Sequence, residues 1–230
     1  MKTKKSGLYQ LIDNKLYPLK VFILAWIDPM CWVLDKSAES ILDVGCGQGL
    51  PMEMIKMRMK VKRSVGVDLF KPYIDQCKKK KIHDEYLLSD VRRLPFKNKS
   101  FDVVMALQVL EHQPKKDAWK LLEKMEKIAK KQVIVAMPIG EMYHPAVDHN
   151  ELQLHLSHFH PDELEKRGYK TIKMGIRQLL GENGIVHKVN NDFLRKIIYT
   201  VSIFVDIFLF FFQPLANYYF VAYKNLDIKT

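Results

Sequence analysis

From Ile41 onward, short apolar, β-branched runs alternate with longer stretches in which apolar residues recur at helical spacing. Strands are expected at 41–44, 64–67, 86–88, 101–107 and 133–137, with helical stretches at 52–59, 73–80 and 118–129 between them. Pro161 followed by Asp162 and Glu163 marks a further helix start, and Gly168 marks its stop. Strands around 169–176 and 218–223 follow, the last of them closing the sheet. Strand and helix in alternation require parallel strands joined by right-handed crossovers, hence an open α/β sheet with helices on both faces.

Two segments break this rhythm. Residues 8–34 and 178–215 are rich in large apolar and aromatic side chains. The expected organisation is therefore a helical cap over 1–38 and one domain over 39–230, with an apolar helical insertion at about 178–216. Within the insertion, 197–212 is shorter than the roughly twenty residues that span a bilayer, and it contains Asp206. Arg195, Ser202, Asp206 and Gln213 are spaced to form one stripe on a helix that is otherwise mostly apolar. Such a helix either packs on the sheet with a narrow wet edge or lies in a membrane surface. Trp26 and Trp32, with Lys2, Lys4 and Lys5 upstream, give the amino-terminal segment the same character.

Composition adds three constraints. At 48% apolar and 27% charged residues, the chain has the make-up of a folded globular protein. Its formal net charge of +11 invites an anionic partner, although the lysines are dispersed and the run Lys78 to Lys81 suits the end of a helix. The cysteines, Cys31, Cys46 and Cys77, are odd in number and far apart, which argues against a disulfide framework and for a reducing compartment. No signal-peptide core follows the basic amino terminus, so the expected location is the cytoplasm, with peripheral contact at a membrane.

The first strand runs into Asp43-Val44-Gly45-Cys46-Gly47-Gln48-Gly49. A dinucleotide fingerprint needs glycine at its first, third and sixth positions, and here Leu50 stands where the last belongs. A phosphate-binding P-loop fails as well, because no Lys-Ser/Thr pair follows the final glycine. What remains is a ligand without a pyrophosphate, lying across the carboxyl ends of the strands.

Four stretches in order resemble the class I S-adenosylmethionine (SAM)-dependent methyltransferases. The glycine-rich stretch is similar to their first motif. Val65-Gly66-Val67-Asp68 places an acid at the end of the second strand, Leu88-Ser89-Asp90-Val91 precedes Leu94-Pro95-Phe96, and Ser100 to Met105 runs on to Val109-Leu110-Glu111-His112. The resemblance implies a Rossmann-like, seven-stranded, mostly parallel sheet flanked by helices, with SAM as cofactor. It implies Asp68 on the ribose hydroxyls, Asp90 facing the adenine amino group, and Asp43, Gly45, Gly47, Gly49, Leu69, Val91 and Leu107 around the ligand. A carboxylate can accept from both ribose hydroxyls, and glycine lets backbone approach the ligand closely.

Methyl transfer from a sulfonium needs alignment first and a base only when the acceptor must lose a proton. His112, at the end of the fourth strand, is the candidate base, against a packing role. Five further histidines crowd 144–160, in spacings that match no zinc signature and without a cysteine, so no metal is expected. They read instead as a loop over the acceptor, with His155 and His158 as candidate substrate contacts. The end of the fourth strand, Ala106-Leu107-Gln108-Val109, lacks the Asn-Pro-Pro-aromatic stretch of base and glutamine methylation. The paired-glutamate loop of arginine methyltransferases and an RNA-binding module are missing too. The expected acceptor is a small apolar or lipid-like molecule. Its rivals are RNA or protein methylation guided by basic charge, and a non-catalytic SAM-binding module.

Overall fold

The computed structural model describes residues 29–142, 150–176, 185–191, 194, 195, 197, 198, 201, 205, 208 and 212–226. Most of the expected cap, His144 and His149, and the Ser202 and Asp206 positions of the polar stripe lie outside them.

Seven strands form one sheet: β1 (Ser40–Val44), β2 (Arg63–Asp68), β3 (Glu85–Leu88), β4 (Phe101–Leu107), β5 (Ala129–Pro138), β6 (Lys170–Met174) and β7 (Tyr219–Asn225). Their spatial order is β3-β2-β1-β4-β5-β7-β6. The first five run parallel, and β7 is antiparallel to both of its neighbours. The strand read as closing the sheet is thus last in sequence but lies inside it, with β6 at the edge. Strand β5 starts four residues earlier than its apolar run. Lys130 and Lys131 disguise a segment in which Gln132 is buried, its amide donating to Val33 O and Asn225 Oδ1 and accepting from Asp35 N.

Helices cover both faces. On one side lie α1 (Pro29–Val33), α2 (Leu50–Arg58) and α3 (Lys71–Lys80), and Met30, Met52, Ile55, Ile74 and Cys77 pack with Ile41, Val103 and Ile134. On the other lies α4 (Lys115–Ile128), where Ala118, Leu121, Leu122, Met125 and Ile128 recur at helical spacing and are all buried. Each large apolar side chain buried this way contributes about 1.5–3 kcal/mol. The last turn of α3 carries Lys78, Lys79 and Lys80, cations suited to the negative end of the helix dipole. Two short helices, α5 (Pro161–Glu165) and α6 (Ile185–Lys188), follow among the described residues.

The switch point falls between β1 and β4, the two central strands, and one side chain fixes their stagger. Asp102 Oδ2 accepts from Glu39 N at 2.8 Å and Ser40 N at 3.1 Å, while Asp102 N donates to Ser40 Oγ at 2.9 Å. Burial alone would raise this carboxyl, but the two amide donors and nearby Lys131 outweigh it and hold it below its ordinary value. Replacing Asp102 by Ala strips two amides of their acceptor at the start of the central strand. Urea unfolding of Asp102→Ala should show a loss of about 2–3 kcal/mol; a loss under about half a kcal/mol would mean water substitutes for the carboxylate.

Candidate functional site

At the carboxyl ends of β1, β2 and β4 a cavity of about 260 Å³ opens over the glycine loop. Its walls include Gly45, Gly47, Asp68, Asp90, Val109 and His112. The loop reaches this position through left-handed backbone, with φ +68° at Gly45 and +52° at Gly47. A Cβ on Gly45 would sit 2.5 Å from Val109 Cγ2, so the loop lies directly on the residues after β4. A Cβ on Gly47 would meet no protein atom within 4 Å although the residue lines the cavity, so its backbone is bared toward the cavity. Gly49 instead faces Ile82 and Cys77, away from the cavity.

Two acids stand at the rim. Asp68 Oδ2 accepts from Gly47 N at 2.9 Å and Oδ1 from Phe70 N at 2.8 Å, which ties the loop to the end of β2. Burial nevertheless raises its pKa. Each oxygen keeps a further lone pair for a hydroxyl donor. Asp90 caps the turn Val91–Arg93, accepting from Arg92 N at 2.9 Å, and pairs with the Arg92 guanidinium, which lowers its pKa. Its carboxylate is therefore shared with an arginine that sequence reasoning passed over. Leu69 and Val91 also line the cavity.

Three expected contacts lie elsewhere. Asp43 is buried beneath the loop, where Oδ2 meets His83 Nε2 at 2.9 Å, and it does not line the cavity. Leu107 packs into the layer under the sheet, and the wall is formed by Gln108 and Val109. Gln108 has φ +57° and donates its amide to Ala136 O at 2.8 Å, a strained conformation of the kind found where function demands it. His158 is exposed, and its carbonyl accepts from Lys115 Nζ rather than its ring facing either cavity described here.

A second cavity, of about 390 Å³, adjoins the first and is lined by Pro138, Met142, His155, Tyr218 and Tyr219 among others. Gln108, His112 and Gln153 belong to both and form the partition. The His112 ring lies 5.0 Å from that of His155. Between His112 and the core sits Glu111, which the sequence offered only as a neighbour in a motif. It is buried, neither carboxylate oxygen has a hydrogen-bond partner among the described residues, and burial pushes the carboxyl up to about 8.

Beneath the loop the sequence concealed a second cluster. Cys46, Cys77 and His83 are all buried, and one ring nitrogen of His83 lies within 4.8 Å of both sulfurs. Gly66 is what admits it, since a Cβ there would stand 2.9 Å from His83 Nδ1 and 3.0 Å from Cys46 Sγ. Burial favours a neutral ring on His83, but Asp43 and the Cys77 sulfur outweigh it and push the imidazole up to about 9. Cys77 moves down to about 6, because the Cys46 thiol donates to it and the imidazolium lies beside it, against the cost of burial.

A family model described as "Methyltransferase domain" matches residues 42–137, the span from β1 to the end of β5. The match takes in the glycine loop and the five parallel strands, so this part of the chain is similar to a methyltransferase domain. Among curated proteins, the chain is 28% identical over 102 residues to 27-O-demethylrifamycin SV methyltransferase of Amycolatopsis mediterranei (strain S699). That alignment covers 40% of this chain and 35% of the relative, so the chain matches about a third of that protein's length. Among solved structures, the complex between the Trm112 methyltransferase activator of Haloferax volcanii and a methyltransferase gives a TM-score of 0.59 at 13% identity, covering 95% of each chain. A SAM-dependent methyltransferase from Archaeoglobus fulgidus gives 0.55 at 16% identity, covering 94% of each. At these identities the likeness is one of fold.

The buried pair yields a test by proton counting. His83, raised, stabilises the fold below about pH 6.5 and loses that contribution as pH rises through about 9. Cys77, depressed, does the opposite over nearly the same window, stabilising as pH rises from about 6 toward the ordinary thiol value. This pair then binds equal numbers of protons in the folded and unfolded chains, and its two slopes cancel. In Cys77→Ala the histidine keeps Asp43 but loses the sulfur that helps raise it, so stability should fall by on the order of 1–2 kcal/mol more than in the wild type between about pH 6.5 and 9. Denaturant melts at several pH values read the slope independently of any packing loss; parallel curves for the two proteins would mean His83 is neutral.

Proposed function

We propose that this chain transfers a methyl group from SAM to a small apolar or lipid-like acceptor. The observation that carries the reading is the bared backbone of Gly47, tied to the Asp68 carboxylate, facing a cavity that meets a second, aromatic-walled one across Gln108 and His112. Bound SAM supplies an activated methyl: an acceptor lone pair forms the new bond to carbon as the carbon–sulfur bond breaks and the thioether leaves with the electron pair. The chain's own work is placement. Asp68 accepts from the ribose hydroxyls, Gly45 and Gly47 let backbone approach the amino-acid end, and Asp90 with Val91 holds the base. Pro138, Tyr218 and Tyr219 shape the acceptor side, a surface that suits a small apolar molecule better than a polyanion.

A second observation bears on where the acceptor comes from. Leu194, Ile197, Val201, Phe208 and Phe212 are each between 43% and 52% exposed, and Phe208 stacks on Phe212 with centroids 4.3 Å apart. Their spacing puts them along one helical face. The polar positions turn the other way: Arg195 reaches Val189 O at 2.9 Å, and Gln213 bonds the backbone of Lys173 in β6. Among the described residues, no helix is long and apolar enough to cross a membrane. An outward apolar face on a chain of net charge +11 supports contact with an anionic lipid surface.

Calorimetry should show SAM and its demethylated product binding, and nicotinamide dinucleotides not binding. Asp68→Ala should weaken SAM by about tenfold or more, since two hydroxyls lose their acceptor. Unchanged affinity in a variant that still melts cooperatively would remove Asp68 from the ribose role. For the membrane reading, flotation should carry the protein up with anionic vesicles, less so in high salt, and less again in the double variant Phe208→Ser, Phe212→Ser. Sedimentation of the wild type with every lipid would show the outward face to serve another purpose.

A further inference from the structure

Glu111 has no place in the mechanism so far, and its position is costly. A fully buried carboxyl that meets no donor among the described residues is a rare state that asks for a partner. Two imidazoles stand against it. One carboxylate oxygen of Glu111 and one ring nitrogen each of His112 and His155 lie within 4.8 Å of one another.

The histidines are held from behind. His112 Nδ1 meets Leu154 O at 3.1 Å, and His155 Nδ1 meets Met142 O at 2.8 Å. A carbonyl oxygen only accepts, so Nδ1 carries the proton in each neutral ring and Nε2 carries the lone pair. Hydrogen bonds of this kind orient metal-bound histidines. The loop that supplies them is itself pinned, with Leu156 N and Ser157 N donating to Glu111 O at 2.8 and 3.0 Å.

We propose that Glu111, His112 and His155 bind one divalent first-row transition cation, which takes a hydroxyl oxygen of the acceptor as a further ligand. Two imidazoles favour the Mn²⁺-to-Zn²⁺ class over Mg²⁺, and three protein ligands leave positions open for water or substrate. Those positions face the right place, since His112 lines both cavities and His155 the acceptor one. The cation neutralises the buried carboxylate and lowers the pKa of a bound hydroxyl. The hydroxyl proton passes to water, and the oxygen keeps the electron pair with which it attacks the methyl carbon. His112 is then a ligand, and the proton-lowering work expected of its imidazole belongs to the metal. Sequence spacing hid the site because Glu111 and His112 lie far from His155 in the chain. The acceptor half of this inference rests on the methyltransferase reading; cation binding does not.

The test uses chelator-treated full-length protein without cofactor, titrated with Mn²⁺ and followed by the loss of the free-ion paramagnetic resonance signal. One Mn²⁺ should bind per chain, and Glu111→Gln and His155→Ala should each weaken it by about tenfold to a hundredfold. Both variants should keep SAM affinity within about twofold, which shows that they are folded. Co²⁺ should give a spectrum of nitrogen and oxygen ligands without a thiolate charge-transfer band, which separates this site from the Cys46–Cys77 pair. The proposal falls if wild-type protein that binds SAM takes up no Mn²⁺ or Co²⁺ at millimolar concentration, or if both variants bind the ion as tightly as wild type. Failure to bind SAM with intact Mn²⁺ binding would instead sink the methyltransferase reading and leave the metal site standing.

Discussion

Gly47 N to Asp68 Oδ2 is a single hydrogen bond of 2.9 Å, yet the architecture of the site hangs on it. A loop of left-handed glycines has few side chains to anchor it, Cys46 among them, and loses much conformational entropy on folding. The Asp68 carboxylate fixes the crest of that loop to the end of β2, and Gly49 presses its far end against Ile82 and Cys77. Below, Asp43 and His83 fill the space between β1 and the start of β3 with a buried, hydrogen-bonded pair. Such a pair is worth its desolvation only where geometry is tightly held, and here Gly66 removes the one Cβ that would displace it.

The division of the site follows from the sheet. The first cavity is floored by the glycine loop and the residues at the ends of β1, β2 and β4, fixed by parallel ladders and two helical layers. The second cavity draws its walls from the end of β5, the loop carrying His155, and the turn into β7. Rigid strands suit a ligand common to a whole family, whereas loops can change with the acceptor.

Legibility in the sequence divides along the same line. The parallel strands and the glycine loop could be read because buried strands are continuous apolar runs, and because glycine spacing is a steric necessity. Strand β5 was read short because Lys130 and Lys131 are polar at its exposed start. Asp43 was misplaced because a motif records that an acid is required without recording which way it points; here it turns down to His83, forty residues away. Cys46, Cys77, His83 and Gly66 carry no spacing signature, since α3 and the start of β3 bring them under the loop. Glu111 differs again: only its burial distinguishes it, and burial is a property of the fold.

That last distinction bears on how chemistry is added to a scaffold of this kind. Alignment can be supplied by backbone, which the sheet provides at no titratable cost. Changing the proton affinity of an acceptor needs charge in a dry place, and a dry charge must be compensated. Glu111 lies in the turn after β4, where backbone bonds from Leu156 and Ser157 close the histidine loop over it, and its carboxyl is buried. The same contacts bring His155 to it, beside its chain neighbour His112. Under the proposed reading, a fold that aligns two ligands would acquire, in one loop closure, a place to hold the charge that activates one of them.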